Sequence, residues 1–310
     1  MPEMTEVPPK VSVLVVTYNQ EAFIGGALES ALEQRTDFDF EIVVGEDGSS
    51  DGTRGIVGGY AQKHPQKIRA FLRPENLGPS KLGIQGRNNF VATYRSCRGE
   101  YIAFLDGDDY WTDPLKLEKQ VAFLNAHPDA TLCSHPATVS YSDGRQPLWP
   151  SPLGFSSRPI RPIEDILPIL RRKENLELPL SCVMIRNGLV REFPGWFYEV
   201  FNHDIALQWL LAEKGPVGFL NDCMAVIRKH GAGLSRLYDS QPDFCWEMFL
   251  KLHRSIDRHL NYRYRSVIKE ELAEEWRYRA RACRRRGEWG GAFFAWLQSL
   301  WVGRTGGFAG

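Results

Sequence analysis

The 310-residue sequence shows no excess of either charge and no long hydrophobic run, and its cysteines are not clustered. Each absence removes a class of function. Lys plus Arg number 38, as do Asp plus Glu, so the formal net charge is zero. No global basic field points to nucleic acid, and no acidic tail points to a solvating role. The six cysteines (Cys97, Cys133, Cys182, Cys223, Cys245, Cys283) lack the paired short spacings of a zinc ribbon or a small disulfide framework. Buried thiols in a reducing cytoplasm are the expectation. No uninterrupted apolar stretch approaches the ~20 residues that span a bilayer, and the opening Met1 to Glu6 has neither the basic nor the apolar region of a secretory signal. A cytoplasmic protein is expected, free in solution or peripheral at the inner face of the membrane.

What is present is an alternation of strands and helices. Val11 to Thr17 is a β-branched run followed by a helical pattern from Phe23 to Leu32. Phe40 to Gly45 and Ile56 to Lys63 repeat that unit. A third strand is expected at Ile68 to Leu72, a third helix over Lys81 to Cys97, and a fourth strand at Tyr101 to Leu105. Such alternation implies a mainly parallel sheet covered by helices on both faces. Beyond it the pattern predicts a helix at Leu115 to Ala126, a strand at Thr131 to Ser140 and an irregular loop from Ser142 to Pro162. A helix at Ile163 to Arg172, a strand at Leu180 to Ile185, a helix from Asp204 and a strand at Cys223 to Ile227 follow. From Pro242 onward only helices are expected, at Phe244 to His259, Tyr264 to Arg286 and Trp289 to Val302. The organisation is therefore an α/β part over 1–240, falling into portions of about 10–115 and 116–240, and a helical region over 241–310.

The fourth strand delivers Asp106, Asp108 and Asp109 to one turn. Such crowding calls for a cation, and carboxylates are the ligands of hard divalent metals. Mg²⁺ is usually held by one or two carboxylates plus substrate phosphates. In open sheets of this kind ligands bind outside the carboxyl ends of the strands. The turns after Thr17, at Asp47 and at Asp106 to Asp109 all follow strands and should open on one edge.

Taken together and in order, several segments resemble the family 2 glycosyltransferases. They are Val11 to Asn19, Glu46 to Thr53, Asn76-Leu77-Gly78, Arg87-Asn88, Gly99 to Asp109, His203-Asp204, and Arg228 to Ser235. The resemblance covers roughly the first three quarters of the chain and implies a GT-A fold, Rossmann-like, with the C-terminal helices as an extension. It also implies an inverting transfer of a sugar from a UDP-, GDP- or dTDP-linked donor to an acceptor hydroxyl. In that family's pattern Asp106-Gly107-Asp108 is the metal motif, with Asp106 near the ribose and Asp108 on Mg²⁺ or Mn²⁺. Asp109 belongs to the same metal site, as an orienting or water-binding group. Asp47 corresponds to the acceptor of a nucleobase hydrogen bond, with Thr17, Tyr18 and Asn19 on the other wall. Glu46 stands where Asp is more frequent.

Asp204 matches the family's general base, which removes the proton from an acceptor hydroxyl; as a local signal it also reads as a helix N-cap. The residue before it, often another acid, is here His203. His230 is read either as a contact to phosphate or metal or as a partner for a backbone carbonyl, and Arg87 and Arg228 as diphosphate or sugar contacts. The acceptor is expected to be a glycan, a lipid-linked molecule or a small molecule, with Trp149 and Trp196-Phe197-Tyr198 as candidate sugar-stacking aromatics. Arg277, Arg279, Arg281, Arg284, Arg285 and Arg286 precede an aromatic-rich segment. Two readings stay open there: contact with an anionic membrane, or packing within the protein. Two rival functions are a nucleotidyltransferase, disfavoured because Thr17 to Glu21 is not a Gly-rich basic loop, and a non-catalytic sugar-nucleotide or glycan-binding module, disfavoured because Asp108 and Asp204 are both present.

Overall fold

The computed structural model describes residues 7–78, 86–149, 159–162, 178–231 and 240–304. Its frame is an eight-stranded sheet in the order β3-β2-β1-β4-β10-β6-β11-β9. The strands are β1 (Val11–Thr17), β2 (Phe40–Glu46), β3 (Ile68–Leu72), β4 (Tyr101–Asp106), β6 (Leu132–Ser134), β9 (Ile160–Arg161), β10 (Met184–Arg186) and β11 (Val217–Phe219). β1 to β4 run parallel, β10 lies antiparallel between β4 and β6, and β11 pairs parallel with β6. A smaller sheet, β5-β12-β7-β8, combines β5 (Tyr110–Trp111), β7 (Ala137–Tyr141), β8 (Leu148–Trp149) and β12 (Ala225–Lys229).

Side chains alternate across a strand, and the central strands use both faces. Val11, Val13 and Val15 of β1, with Tyr101, Ala103 and Leu105 of β4, join a core beneath helices α1 (Ile24–Leu32), α2 (Thr53–Lys63) and α4 (Lys116–Ala126). Leu14, Ile102 and Phe104 join the opposite core with α3 (Arg87–Tyr94) and α5 (His203–Ala212). That second core runs on into α6 (Pro242–His259) and α7 (Arg265–Arg285) through Trp246, Leu250, Ile256, Leu272 and Trp276, and reaches α8 (Trp289–Arg304) at Ala295 and Val302. The three C-terminal helices appear where the sequence predicts them.

Other expectations change. The single strand predicted over Thr131 to Ser140 is two strands in two different sheets, parted at His135-Pro136; proline cannot donate to a ladder. The strand expected at Leu180 to Ile185 begins instead as a 3-10 turn over Leu180–Cys182 behind Pro179, and only Met184–Arg186 pairs. The helix expected from Lys81 starts at Arg87, after Gly86 with φ of 85°; residues 81–85 lie outside the described residues. The predicted loop from Ser142 carries the short strands β8 and β9, and the helix expected at Ile163 to Arg172 falls outside the described residues. Five cysteines are buried, and Cys223 is exposed.

Lys116, at the start of α4, is fully buried with its ammonium 4.1 Å from the centre of the Trp111 ring and 2.6 Å from Gln120 Oε1. Burial pushes the amine down to about 7. The unfolded chain therefore binds one more proton than the folded one from about pH 7 to the ordinary lysine range, and stability rises with pH across that window. Lys116→Met should remove this slope. In urea titrations, the stability difference between variant and wild type should be largest, in the variant's favour, at pH 6.5 and shrink by pH 9.5. A pH-independent difference would count against a buried ionisable amine.

Candidate active site

Because β1, β2 and β4 are parallel and adjacent, their carboxyl ends share one edge. Thr17 pairs with Glu46 and Val16 with Asp106, so Asp47 and Asp106 flank β1, about 10 Å apart at two strand spacings. That span suits an extended ligand better than a single ion.

The acidic turn is held from several directions. Gly107 N–H donates to Val16 O at 3.1 Å, and a Cβ at Gly107 would lie 2.9 Å from the Thr17 side chain, so the turn lies flat on β1. Ser181 Oγ donates to Asp109 Oδ2 at 2.6 Å while accepting from Asp106 N–H at 3.0 Å. Arg228, on β12, donates from its backbone N–H to Asp109 Oδ1 at 2.9 Å and from its guanidinium to Asp108 O at 2.8 Å. That guanidinium also stacks over Tyr110, 4.3 Å from the ring centre. Next in β12's extension, His230 Nε2 lies 2.9 Å from Asp108 Oδ2, its ring against Phe23. The His230 partner in this structure is thus a carboxylate, which is neither the phosphate or metal nor the backbone carbonyl expected for it.

The three aspartates differ. Both oxygens of Asp109 accept protein hydrogen bonds, and its carboxyl is buried. Burial, reinforced by Asp108 and Asp106, raises it well above the carboxylate range. Asp106 makes no side-chain hydrogen bond among the described residues; burial, with Asp108 and Asp204 nearby, pushes it up to about 7. Asp108 keeps one oxygen clear of His230. Such a set fits a divalent cation: Asp106 and Asp108 are hard oxygen donors under mutual repulsion. Among the described residues no three His, Cys, Asp or Glu side chains gather as a closed cage.

Asp204 joins this group from α5. It lies in the first turn, where helix polarity favours an anion, and Asn202 occupies the N-cap position that the sequence assigned to Asp204. Burial raises its carboxyl, while the Ile205 N–H, Lys229 and Arg87 pull the other way. His203 packs against Phe90 at 4.9 Å, and burial, helped by Arg87, holds it down at about 3, so it stands neutral beside Asp204.

Arg87, expected on a diphosphate or sugar, is instead wholly buried. It donates to the carbonyls of Val200 and Phe201, the latter at 3.0 Å, and its charge acts on Asp204. It thus ties α3 to the segment that launches α5.

At the other end of the edge, Asp47 Oδ1 accepts from Leu77 N–H at 2.9 Å, while Oδ2 has no partner among the described residues. Asn76 Nδ2 and the Arg73 Nε and one terminal nitrogen are likewise buried without partners among the described residues. Gly48, at φ 70°, allows this approach, since a Cβ there would meet Asn76 N at 2.5 Å. Thr17 O receives the Asp47 N–H at 3.1 Å, and Asn19 binds Ser49 and Ser50, so the two turns form one unit. Tyr18 is half-buried beside them. Glu46 is occupied by Ser49 N–H and Arg54, a local structural role that accounts for its identity.

With this geometry in view, the comparisons are decisive. The model of Glycosyl transferase family 2 matches residues 12–191, more than half of the chain. The chain belongs to glycosyl transferase family 2. An uncharacterized protein of Mycobacterium tuberculosis is 33% identical over 274 residues, covering 85% of this chain and 72% of that one. A Bacillus subtilis protein named for teichuronic acid biosynthesis, TuaG, is 36% identical over 121 residues, 39% of this chain and 44% of its own. Among solved structures, S. aureus TarS 1-349 with UDP-GlcNAc superposes with a TM-score of 0.58 at 17% identity, covering 94% of this chain and 91% of that one. The mannosyltransferase PcManGT from Pyrobaculum calidifontis, with GDP-Man and Mn²⁺, gives 0.56 at 18%, covering 95% and 88%. The GT-A fold and glycosyltransferase activity follow from this membership, and both rival functions fall away.

Two residues of the site escaped the sequence reading. Lys229 acts on both Asp106 and Asp204, and its position between Arg228 and His230 was the available signal. Ser181, 72 residues beyond Asp109, had none. Ser181→Ala should leave the buried Asp109 carboxylate short of a donor and cost about 1–3 kcal/mol of stability, measurable by chemical denaturation. An unchanged midpoint would show that Ser181 does not hold the turn.

Proposed function

We propose that the chain transfers a sugar from a nucleotide-diphosphate sugar to an acceptor hydroxyl with inversion at the anomeric carbon. The observation that carries this reading is that Asp204 lies near enough to Asp106 to act on its carboxyl, with Asp108 in the same turn and, two strands away, an Asp47 oxygen that has no partner among the described residues. The donor lies along that edge: Asp47, with Thr17, Tyr18 and Asn19, takes the nucleobase end, and the diphosphate end faces Asp106, Asp108 and His230. The neighbours that hold UDP-GlcNAc and GDP-Man support a nucleotide sugar as the donor class, with UDP, GDP and dTDP as the candidate carriers.

Asp106 and Asp108 would hold Mg²⁺ or Mn²⁺, which when bound offsets the negative charge that collects on a leaving nucleoside diphosphate. Asp109 keeps the turn in place through Ser181 and Arg228. Asp204 is the base. It accepts the acceptor's hydroxyl proton as that oxygen bonds to the anomeric carbon and the carbon–phosphate-oxygen bond breaks on the opposite side. A carboxyl raised by burial grips a proton more firmly than one in water, which suits that role. Arg87 and the neutral His203 fix the start of α5 and so aim Asp204. The acceptor is a glycan, a lipid-linked molecule or a small molecule bearing a hydroxyl, and the product belongs to glycan, polysaccharide or glycoconjugate synthesis. Any peripheral contact with a membrane would be made by the C-terminal helices.

Asp204→Asn should lower turnover by at least about 100-fold, the scale of general-base catalysis, while nucleotide binding and the thermal midpoint persist. Near-wild-type turnover in that variant would remove Asp204 from the reaction. Asp108→Asn should lower both turnover and the metal dependence of donor binding.

A further inference from the structure

The C-terminal helix α8 is turned inside out for a helix of a water-soluble fold. Among its described side chains the buried ones are the small residues Ala292, Ala295 and Ser299, with Val302. Gly291 faces α7, where an added Cβ would lie 3.4 Å from Cys283 Sγ. Five large apolar side chains point outward: Trp289 is 68% exposed, Phe293 61%, Phe294 56%, Trp296 49% and Leu297 43%. Residues 289, 293 and 296 follow the spacing of one helical face, and 290, 294 and 297 the strip beside it. Ordinary amphipathic packing buries the large residues and exposes the small ones; here the contact with α7 uses the small ones and the edge-on pair of Phe294 with Trp276, 5.9 Å between ring centres, and leaves Trp289, Phe293, Trp296 and Leu297 uncovered. Between Trp289 and Gly303 no residue carries a charge.

Cations lie just before this helix in the chain. α7 ends in Arg284-Arg285, and the chain turns through Gly287, at φ 78°, directly into Trp289. Arg277 pairs with Glu274, Arg279 with Asp243, and Arg286 with Asp243 and Glu288. Arg281, Arg284 and Arg285 are exposed and have no acidic partner among the described residues. A covering partner must therefore supply hydrocarbon to the aromatics and negative charge to three guanidiniums side by side. A second copy of this chain would bring the same three arginines and no free acids with its own α8. An anionic lipid bilayer supplies both in layers, phosphate above acyl chain, and indole rings favour that boundary. No helix is long and apolar enough to cross a membrane among the described residues, so the contact is shallow.

We propose that the α7–α8 hairpin docks the protein on an anionic bilayer, with Trp289, Phe293 and Trp296 at the acyl boundary and Arg281, Arg284 and Arg285 on lipid phosphates. The docking does not depend on the transfer reaction. Its consequence for that reaction is that an acceptor carried on a lipid would be met at the surface where the enzyme sits, since α6 and α7 share a core with the helix that bears Asp204.

Co-sedimentation of the full chain with vesicles tests this. Wild type should pellet with phosphatidylglycerol/phosphatidylcholine vesicles at low salt and remain in the supernatant with phosphatidylcholine alone. Replacing Arg281, Arg284 and Arg285 by Gln should weaken binding to the anionic vesicles on the order of 100-fold or more. The double variant Phe293→Ser, Trp296→Ser should also lose pelleting, while its circular dichroism and thermal midpoint match wild type because neither side chain is buried. Wild type staying in the supernatant with both vesicle types would overturn the proposal, as would equal pelleting with both. So would light scattering that shows a dimer which Phe293→Ser, Trp296→Ser dissociates. Loss of sugar transfer with vesicle binding intact would count against the catalytic reading only.

Discussion

Repulsion among carboxylates at the end of β4 is the constraint around which this chain is arranged. Asp106, Asp108 and Asp109 leave one strand within four positions, and groups far apart in sequence hold them there. Ser181 bridges Asp106 and Asp109 from the 3-10 turn before β10, and Arg228 grips Asp108 and Asp109 from β12. The small second sheet thus has a clear physical task. Its strand β12 carries Arg228, Lys229 and, just beyond, His230 to the acidic turn, and pairing with β5 and β7 keeps it there.

The same environment separates the roles of four aspartates. Asp109 is buried and fully hydrogen-bonded, so it shapes the turn. Asp106 and Asp108 retain free oxygens toward the open edge. Asp204 arrives on another element, at the positive end of a helix and with Lys229 and Arg87 as cationic neighbours. His203 is neutral where an acid is more usual in the family, which removes one negative charge from the approach to Asp204. Burial raises Asp106, Asp109 and Asp204 alike, and a bound cation would relieve the crowding that burial aggravates.

Much of the first half was legible from the sequence because its signals are local. β-branched runs followed by capping turns and helical periodicity set β1, β2 and β4 in order, and a parallel sheet puts their ends on one edge. The ordered motifs then pointed to Asp47, Asp108 and Asp204. What was not legible depends on distant partners. Periodicity across Thr131 to Ser140 cannot say that Pro136 divides two sheets. Arg87 reads as a diphosphate or sugar contact until α3 is packed against the segment before α5, and Ser181 acquires a role only when β10 is brought beside β4. In α8 nearly every position is apolar, so the sequence could not tell which side would be covered.

The central claim is that the strand ends form a nucleotide-sugar site completed by a divalent cation. Calorimetric titration of wild type with UDP, GDP and dTDP, each with and without Mn²⁺, tests it most directly. At least one nucleotide should bind, at least about tenfold more tightly with Mn²⁺ than without, a difference of about 1.4 kcal/mol; Asp108→Asn should erase that difference. No binding by any of the three, or binding that ignores Mn²⁺ and Asp108, would contradict the account.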